Sequence, residues 1–185
     1  MKIGIVYASK TGQTKRLADR AADRLRSVGH SVDIDPVETA AHWRESSYDL
    51  IFAGSYCRST ALTPAILAFL DTHRRIRRLA VFVTHAAPDS GLLHARWAGT
   101  CETQYRGYCV ENGAEGAGYF HCRAKPSVGI AWFIRFSVFR RDRPGWKAYR
   151  KGMHGYPDTK GLERFDAFVD AAVRQTAAAA VPGPD

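Results

Sequence analysis

Acidic side chains are scarce in this chain. There are 18 Asp and Glu against 27 Lys and Arg in 185 residues, a formal net charge of +9. The surplus biases the surface toward anionic partners: acidic proteins, anionic lipids, phosphorylated or carboxylated small molecules, or nucleic acid. Cysteine is sparse too. Cys57, Cys101, Cys109 and Cys122 form no CxxC and no metal-ligand spacing, so the thiols read as incidental or buried. No apolar run approaches the roughly 20 residues that span a bilayer. The chain opens on an apolar strand pattern rather than a basic stretch and a leader-like apolar core, which gives an expectation of a cytoplasmic protein. No carboxylate pair, metal cluster or nucleophile–base arrangement stands out, so the residues supply no self-contained catalytic chemistry.

What is present is an alternation of strand and helix patterns. Lys2 to Ala8 is an apolar, β-branched run that reads as a buried strand. From Lys15 to Val28, Leu17, Ala18, Ala21, Ala22, Leu25 and Val28 recur at helical spacing, and Gly29 stops the pattern. Ser31 to Pro36 alternates as an edge-like strand, and Tyr48 to Gly54 is apolar enough for a central one. A helix follows over Leu62 to Thr72 with Pro64 suited to its first turn. Further elements are a strand over Leu79 to Thr84, a helix over Leu92 to Asn112, a strand over Gly118 to Arg123 and a helix over Gly161 to Thr176. Alternation of this kind argues for a parallel sheet covered on both faces. The expected fold is therefore α/β, a doubly wound five-stranded parallel sheet in the order 2-1-3-4-5. In that order ligands bind at the carboxyl ends of strands one and three. Three loops should converge there: Ser9 to Thr14, Ser55 to Thr60, and Thr84 to Pro88.

The first of these loops carries the chemistry. Ser9-Lys10-Thr11-Gly12-Gln13-Thr14 lies between the first strand and the first helix. The free N–H groups of such a turn and of the helix start favour an anion, and Gly12 permits a tight turn and close approach. Gly4 to Thr11 is one substitution from GxxxxGK[ST], but the register fails because Gly4 sits inside the strand. A dinucleotide fingerprint is disfavoured because no GxGxxG occurs. A phosphoacceptor domain is excluded because the first and third strands end in Tyr7-Ala8 and Gly54-Ser55 rather than in acids.

The surviving reading is a resemblance. Ser9, Thr11, Gly12 and Thr14 match, position by position, the [ST]-x-T-G-x-T FMN phosphate loop of the flavodoxin family. The YD…G strand over Tyr48 to Gly54 resembles that family's third strand. Gly54 to Arg58 is similar to the G-x-x-x-R loop of its quinone-reducing branch and of the menaquinone-dependent protoporphyrinogen oxidase branch. Phe120 to Lys125, followed by Gly155-Tyr156-Pro157-Asp158, resembles the ending of small flavodoxin-like proteins. The resemblance implies FMN as cofactor. Ser9, Lys10, Thr11, Gly12, Gln13 and Thr14 would surround the phosphate, and Ser55, Tyr56, Cys57, Arg58, Thr84 and His85 would border the ring. Tyr56 would stack on the flavin, Cys57 would contribute its backbone, and Arg58 would meet the pyrimidine edge or an acidic partner.

The implied function is electron transfer to a partner oxidoreductase. One alternative is an FMN-dependent oxidoreductase acting directly on a quinone or tetrapyrrole; another is a cofactor-free basic interaction module. Residues 1–176 are expected to form one domain, with a tail over 177–185 that frays. Within that domain, residues 126–158 stand apart as an aromatic and basic insertion before the last helix. This insertion suits core packing, a membrane surface, or docking of an acidic redox partner protein or anionic small molecule; nucleic acid is the disfavoured partner.

Overall fold

The structure, a computed structural model, describes residues 1–87, 92–153 and 155–179, with the side chains of 92–98 and 153 outside the description. Pro88, the last residue of the third expected loop, lies outside the described residues, as does the tail from residue 180. Five parallel strands form one sheet in the order β2-β1-β3-β4-β5: β1 (Lys2–Tyr7), β2 (Ser31–Pro36), β3 (Leu50–Tyr56), β4 (Arg78–His85) and β5 (Glu115–Arg123). The helices are α1 (Gln13–Ser27), α2 (Pro64–Thr72), α3 (Leu92–Asn112), α4 (Val128–Ser137), α5 (Arg143–Met153) and α6 (Thr159–Ala178).

The two-residue period of the strands sorts their side chains into two cores. Ile3 and Ile5 of β1, Leu50 and Phe52 of β3, and Ala80 and Phe82 of β4 pack with α1 and α6 on one face. Val6, Ile51, Ala53, Leu79, Val81 and Val83 pack with α2 and α3 on the other. The layering is tight enough that β-carbons are excluded at two strand positions. A Cβ on Gly4 would stand 2.6 Å from the Trp43 ring, and one on Gly54 would strike the Phe82 ring. At the outer edge, the β2 carboxylates accept hydrogen bonds from side chains that fold over them: Trp43 Nε1–H donates to Asp35 (2.9 Å) and Tyr48 O–H to Asp33 (3.0 Å). These contacts hold the Trp43 and Tyr48 rings over the face of β1 and β2, against the Gly4 position.

Side-chain caps start helices where the sequence supplies them. Thr63 accepts from the Ile66 N–H ahead of Pro64, and Asp158 accepts from the Gly161 N–H at 2.8 Å. The latter begins α6 at Thr159, two residues before the expected Gly161. Arg20 and Arg24 of α1 grip Asp166 and Asp170 of α6 in paired hydrogen bonds of 2.6–2.7 Å, clamping the two helices side by side.

The structure extends β5 three residues upstream of the expected Gly118, to Glu115. Here Arg78, 4% exposed, donates from Nε to Glu115 at 2.6 Å. The register then slips between Leu79 and Ala80, leaving Ala117 as an extra residue and Gly118 at φ 139°. A bulge of this kind breaks the alternation by which a strand is recognised. β3 continues past Gly54 to Tyr56, so the second expected loop begins inside the strand. Residues 126–158 hold two helices, α4 and α5, where the sequence reading assigned no elements. Apolar residues surround α4 on nearly all sides, which masks its helical period.

Candidate functional site

Because all five strands are parallel, their carboxyl ends lie along one sheet edge. The chain leaves β1 for β2 on one side and returns to β3 on the other, so the crevice opens between β1 and β3. The strand ends are coupled by short backbone bonds. Ala8 N–H donates to Gly54 O and Cys57 N–H to Thr84 O, both at 2.8 Å.

The loop after β1 turns into α1 through Gly12, which holds φ 80° and has open space where a β-carbon would project. Lys10, Thr11 and Gly12 are exposed, and Ser9 and Gln13 are partly buried. The Ser9 hydroxyl oxygen accepts from the Lys15 N–H at 3.2 Å, leaving its own proton for another acceptor. The first intrahelical bond runs from Arg16 N–H to Gly12 O. Among the described residues, the backbone N–H groups of Lys10 to Thr14 have no protein acceptor. Gln13 Oε1 is buried with no partner among the described residues. Five backbone donors at a helix start, with a left-handed glycine among them, make an anion-sized cradle. The residues present therefore fit a phosphate.

Thr14 sits at the floor of this loop, 1% exposed. Its Oγ1 lies 2.9 Å from Thr84 Oγ1 at the end of β4. One hydroxyl must donate to the other. If Thr84 donates, the Thr14 proton remains available to a ligand above it. Thr84 is thus placed behind the loop as a support.

The loop after β3 is a tight hairpin. Arg58 and Ala61 exchange both backbone hydrogen bonds, at 2.8 and 3.0 Å, across Ser59 (φ 50°) and Thr60 (φ 74°). Two non-glycine residues at positive φ make a strained turn, costing about 1–3 kcal/mol each unless their surroundings hold them. Several contacts do so. Cys101 Sγ of α3 donates to Thr60 O at 3.7 Å, and Leu62 N–H donates to Gln104 Oε1 at 2.8 Å. Ser55, fully buried, accepts from Thr63 N–H at 2.9 Å and donates to Tyr56 O at 3.0 Å. The Ser55 hydroxyl is therefore engaged in fastening the loop. Tyr56 is half-buried against the core, and Arg58 stands exposed at the loop tip. The Cys57 thiol meets that of Cys101, whose single proton is divided between Cys57 Sγ and Thr60 O; this contact holds the Cys57 pKa below its ordinary value, and the same contact and burial push Cys101 up.

The third strand end differs most from its expected arrangement. His85 is 4% exposed. Its Nε2 is 3.1 Å from His121 Nδ1 on β5, and its Nδ1 accepts from the Ala87 N–H at 3.3 Å. Tyr119 and Tyr105 stack behind this pair. Next to it, Tyr149 of α5 donates its hydroxyl to Ala86 O at 2.6 Å, and Arg123 lies over the Tyr149 and Tyr156 rings at 4.7 and 4.6 Å. Cys101, Gln104, His121 and Tyr149 thus complete the site, and no sequence motif marks them. Each reaches it by tertiary packing from an element distant in the chain.

Residues 4–90, the stretch holding all three loops as far as they are described, match the family model of the flavodoxin domain. Over that stretch, just under half of its length, the chain is similar to the flavodoxin domain. No curated protein matches this flavodoxin-like chain. Among solved structures it is similar to the Streptococcus pneumoniae TIGR4 flavodoxin at 17% identity and TM-score 0.62, covering 95% of this chain and 99% of that one. It is similar also to oxidised Flavodoxin 1 of Bacillus cereus at 16% identity and TM-score 0.61, covering 94% and 98%. A third likeness is to rubredoxin oxygen:oxidoreductase of the anaerobe Desulfovibrio gigas, at 14% identity and TM-score 0.62. It covers 97% of this chain but 37% of that one. At these identities the likenesses establish the flavodoxin-like fold.

Proposed function

We propose that this flavodoxin-like chain binds FMN at the carboxyl edge of its sheet and passes electrons to a partner oxidoreductase. The observation that carries the reading is the set of acceptor-free N–H groups from Lys10 to Thr14 around a left-handed Gly12. FMN, when bound, supplies the electron-carrying chemistry, and the protein supplies position and electrostatics. The N–H groups, with the Ser9, Thr11 and Thr14 hydroxyls, donate to the phosphate, and the α1 dipole and Lys10 add positive potential. Tyr56 and the backbone of Cys57 and Arg58 bound the ring from the β3 side. The backbone at the β4 end, at His85, would bound it from the other side, with Thr84 supporting the phosphate loop from behind. A face-on Tyr56 adds about 0.5–1.5 kcal/mol beyond its burial.

Electron carriage is tested by reducing the FMN-loaded protein anaerobically with dithionite and adding cytochrome c as a one-electron acceptor. Stoichiometric transfer supports the reading. A reduced protein that gives up no electrons to cytochrome c refutes the carrier role.

A further inference from the structure

The largest departure from ordinary surface chemistry lies away from the phosphate loop, on α4. Seven large hydrophobic residues are exposed among the described residues, and five of them fall within these ten residues. Val128 is 76% exposed, Ile130 43%, Trp132 60%, and Phe133 and Phe136 56% each. The outward side chains are ordered against one another, with the Trp132 and Phe136 rings stacked at 5.3 Å and 12°. The exposure does not arise from an undocked helix. Ile134, on the inner side, is fully buried with Tyr149, and Phe139 and Trp146 pack around them. Ser127 caps the helix start. Tyr149 ties the assembly to Ala86 beside the loop after β4.

The same region concentrates charge. Between Val128 and Met153 there are seven basic residues and one acidic one, Asp142, giving six of the chain's nine net positive charges. Asp142 is occupied, accepting from Gly145 N–H at 2.8 Å at the start of α5. Arg140, Arg141 and Arg143 are exposed between the two helices.

We propose that α4 and the basic segment after it form a peripheral membrane-binding surface that takes anionic phospholipid. A helix that turns Trp and Phe outward, followed at once by a run of Arg and Lys, has the aromatic and basic composition of an element lying in the plane of the headgroup boundary. α4 is about 15 Å long, and no described helix is long and apolar enough to cross a membrane, so the surface rests on the bilayer. Charge decides between occupants. A second copy docking face to face would set six positive charges against six. An anionic bilayer opposes them with phosphates and accepts the aromatic ridge without needing a matching groove. Through the Tyr149 bond to Ala86, this contact holds the carboxyl edge of the sheet beside the membrane surface. The inference is independent of whether FMN binds.

The test is sedimentation of the full chain with vesicles of mixed phosphatidylglycerol and phosphatidylcholine, and with phosphatidylcholine alone. Binding is expected to the anionic vesicles, to weaken steeply with salt, and to be at least about tenfold poorer on phosphatidylcholine. The triple change Trp132→Ser, Phe133→Ser, Phe136→Ser should lower binding more than about tenfold. The triple change Arg140→Ser, Arg141→Ser, Arg143→Ser should lower it about a hundredfold. Both should melt close to the unaltered protein, since these side chains are exposed. Brominated lipid should quench Trp fluorescence, and Trp132→Phe should remove that quenching. Absence of sedimentation with anionic vesicles overturns the proposal, as does equal binding to neutral ones. Self-association or capture of an acidic protein through this face, without vesicle binding, overturns it in favour of a protein interface.

Discussion

Replacing Thr14 by Val keeps the shape of a side chain that is 1% exposed and deletes its hydroxyl. In the FMN-free protein the Thr84 hydroxyl, 3% exposed, then loses the partner it has at 2.9 Å. A buried hydroxyl left without its bond costs about 1–3 kcal/mol. For a domain of this size that lowers the melting temperature by about 2–12 °C. Thr84→Val should cost a similar amount, and the double change should recover part of it because no hydroxyl is stranded. FMN affinity should divide the two single changes. Thr14→Val removes a hydrogen bond to a charged phosphate, worth about 1.5–3 kcal/mol, and should weaken binding about 10- to 150-fold. Thr84→Val removes only the support behind Thr14 and should weaken binding far less. Scanning calorimetry and flavin fluorescence titration of the three variants give both readouts. If Thr14→Val lowers melting but leaves FMN affinity unchanged, Thr14 is only a structural link to β4 and the phosphate assignment at this position is wrong.

Other consequences are as direct. Gly54→Ala drives a methyl group into the Phe82 ring in a closed core and should destabilise by about 1–3 kcal/mol; an unchanged melting curve would show that the layer is looser than described. Asp170 is held below the usual carboxylate range, first by its hydrogen bonds from Arg24, so its contribution is present at neutral pH and lost as pH falls through the lowered folded value. With the pair partly exposed, Asp170→Asn should cost under about 1 kcal/mol at neutral pH and less in acid, and denaturant unfolding that shows an equal cost at both refutes the pairing. Cys57 should be alkylated at a lower pH than an ordinary thiol, and Cys101→Ala should move that profile upward; a profile that stays in place would separate the two thiols.

Much of the frame was legible because each part rests on local chemistry. The strand order followed from apolar runs alternating with helical periods, and α3 matches its expected bounds, Leu92 to Asn112. The phosphate loop was legible because hydroxyls, one glycine and a helix start must be contiguous in the chain. The remainder of the site was not, because it is assembled across it. Cys101 reaches Thr60 over 41 residues, and Tyr149 reaches Ala86 over 63. Ser55 and His85 lie at their expected strand positions, but their side chains are committed to inward hydrogen bonds that sequence position alone does not reveal. The β5 start was hidden by a bulge, and α4 by an apolar surface that faces both the core and the outside.

The most direct measurement compares FMN with riboflavin as ligands of the purified protein, reading flavin fluorescence and melting temperature together. The two share the ring and differ in the phosphate. The account expects FMN to bind and to raise the melting temperature with its free concentration, with riboflavin weaker by at least about a hundredfold. Equal affinity for the two, or no binding of FMN at micromolar concentration, would contradict it.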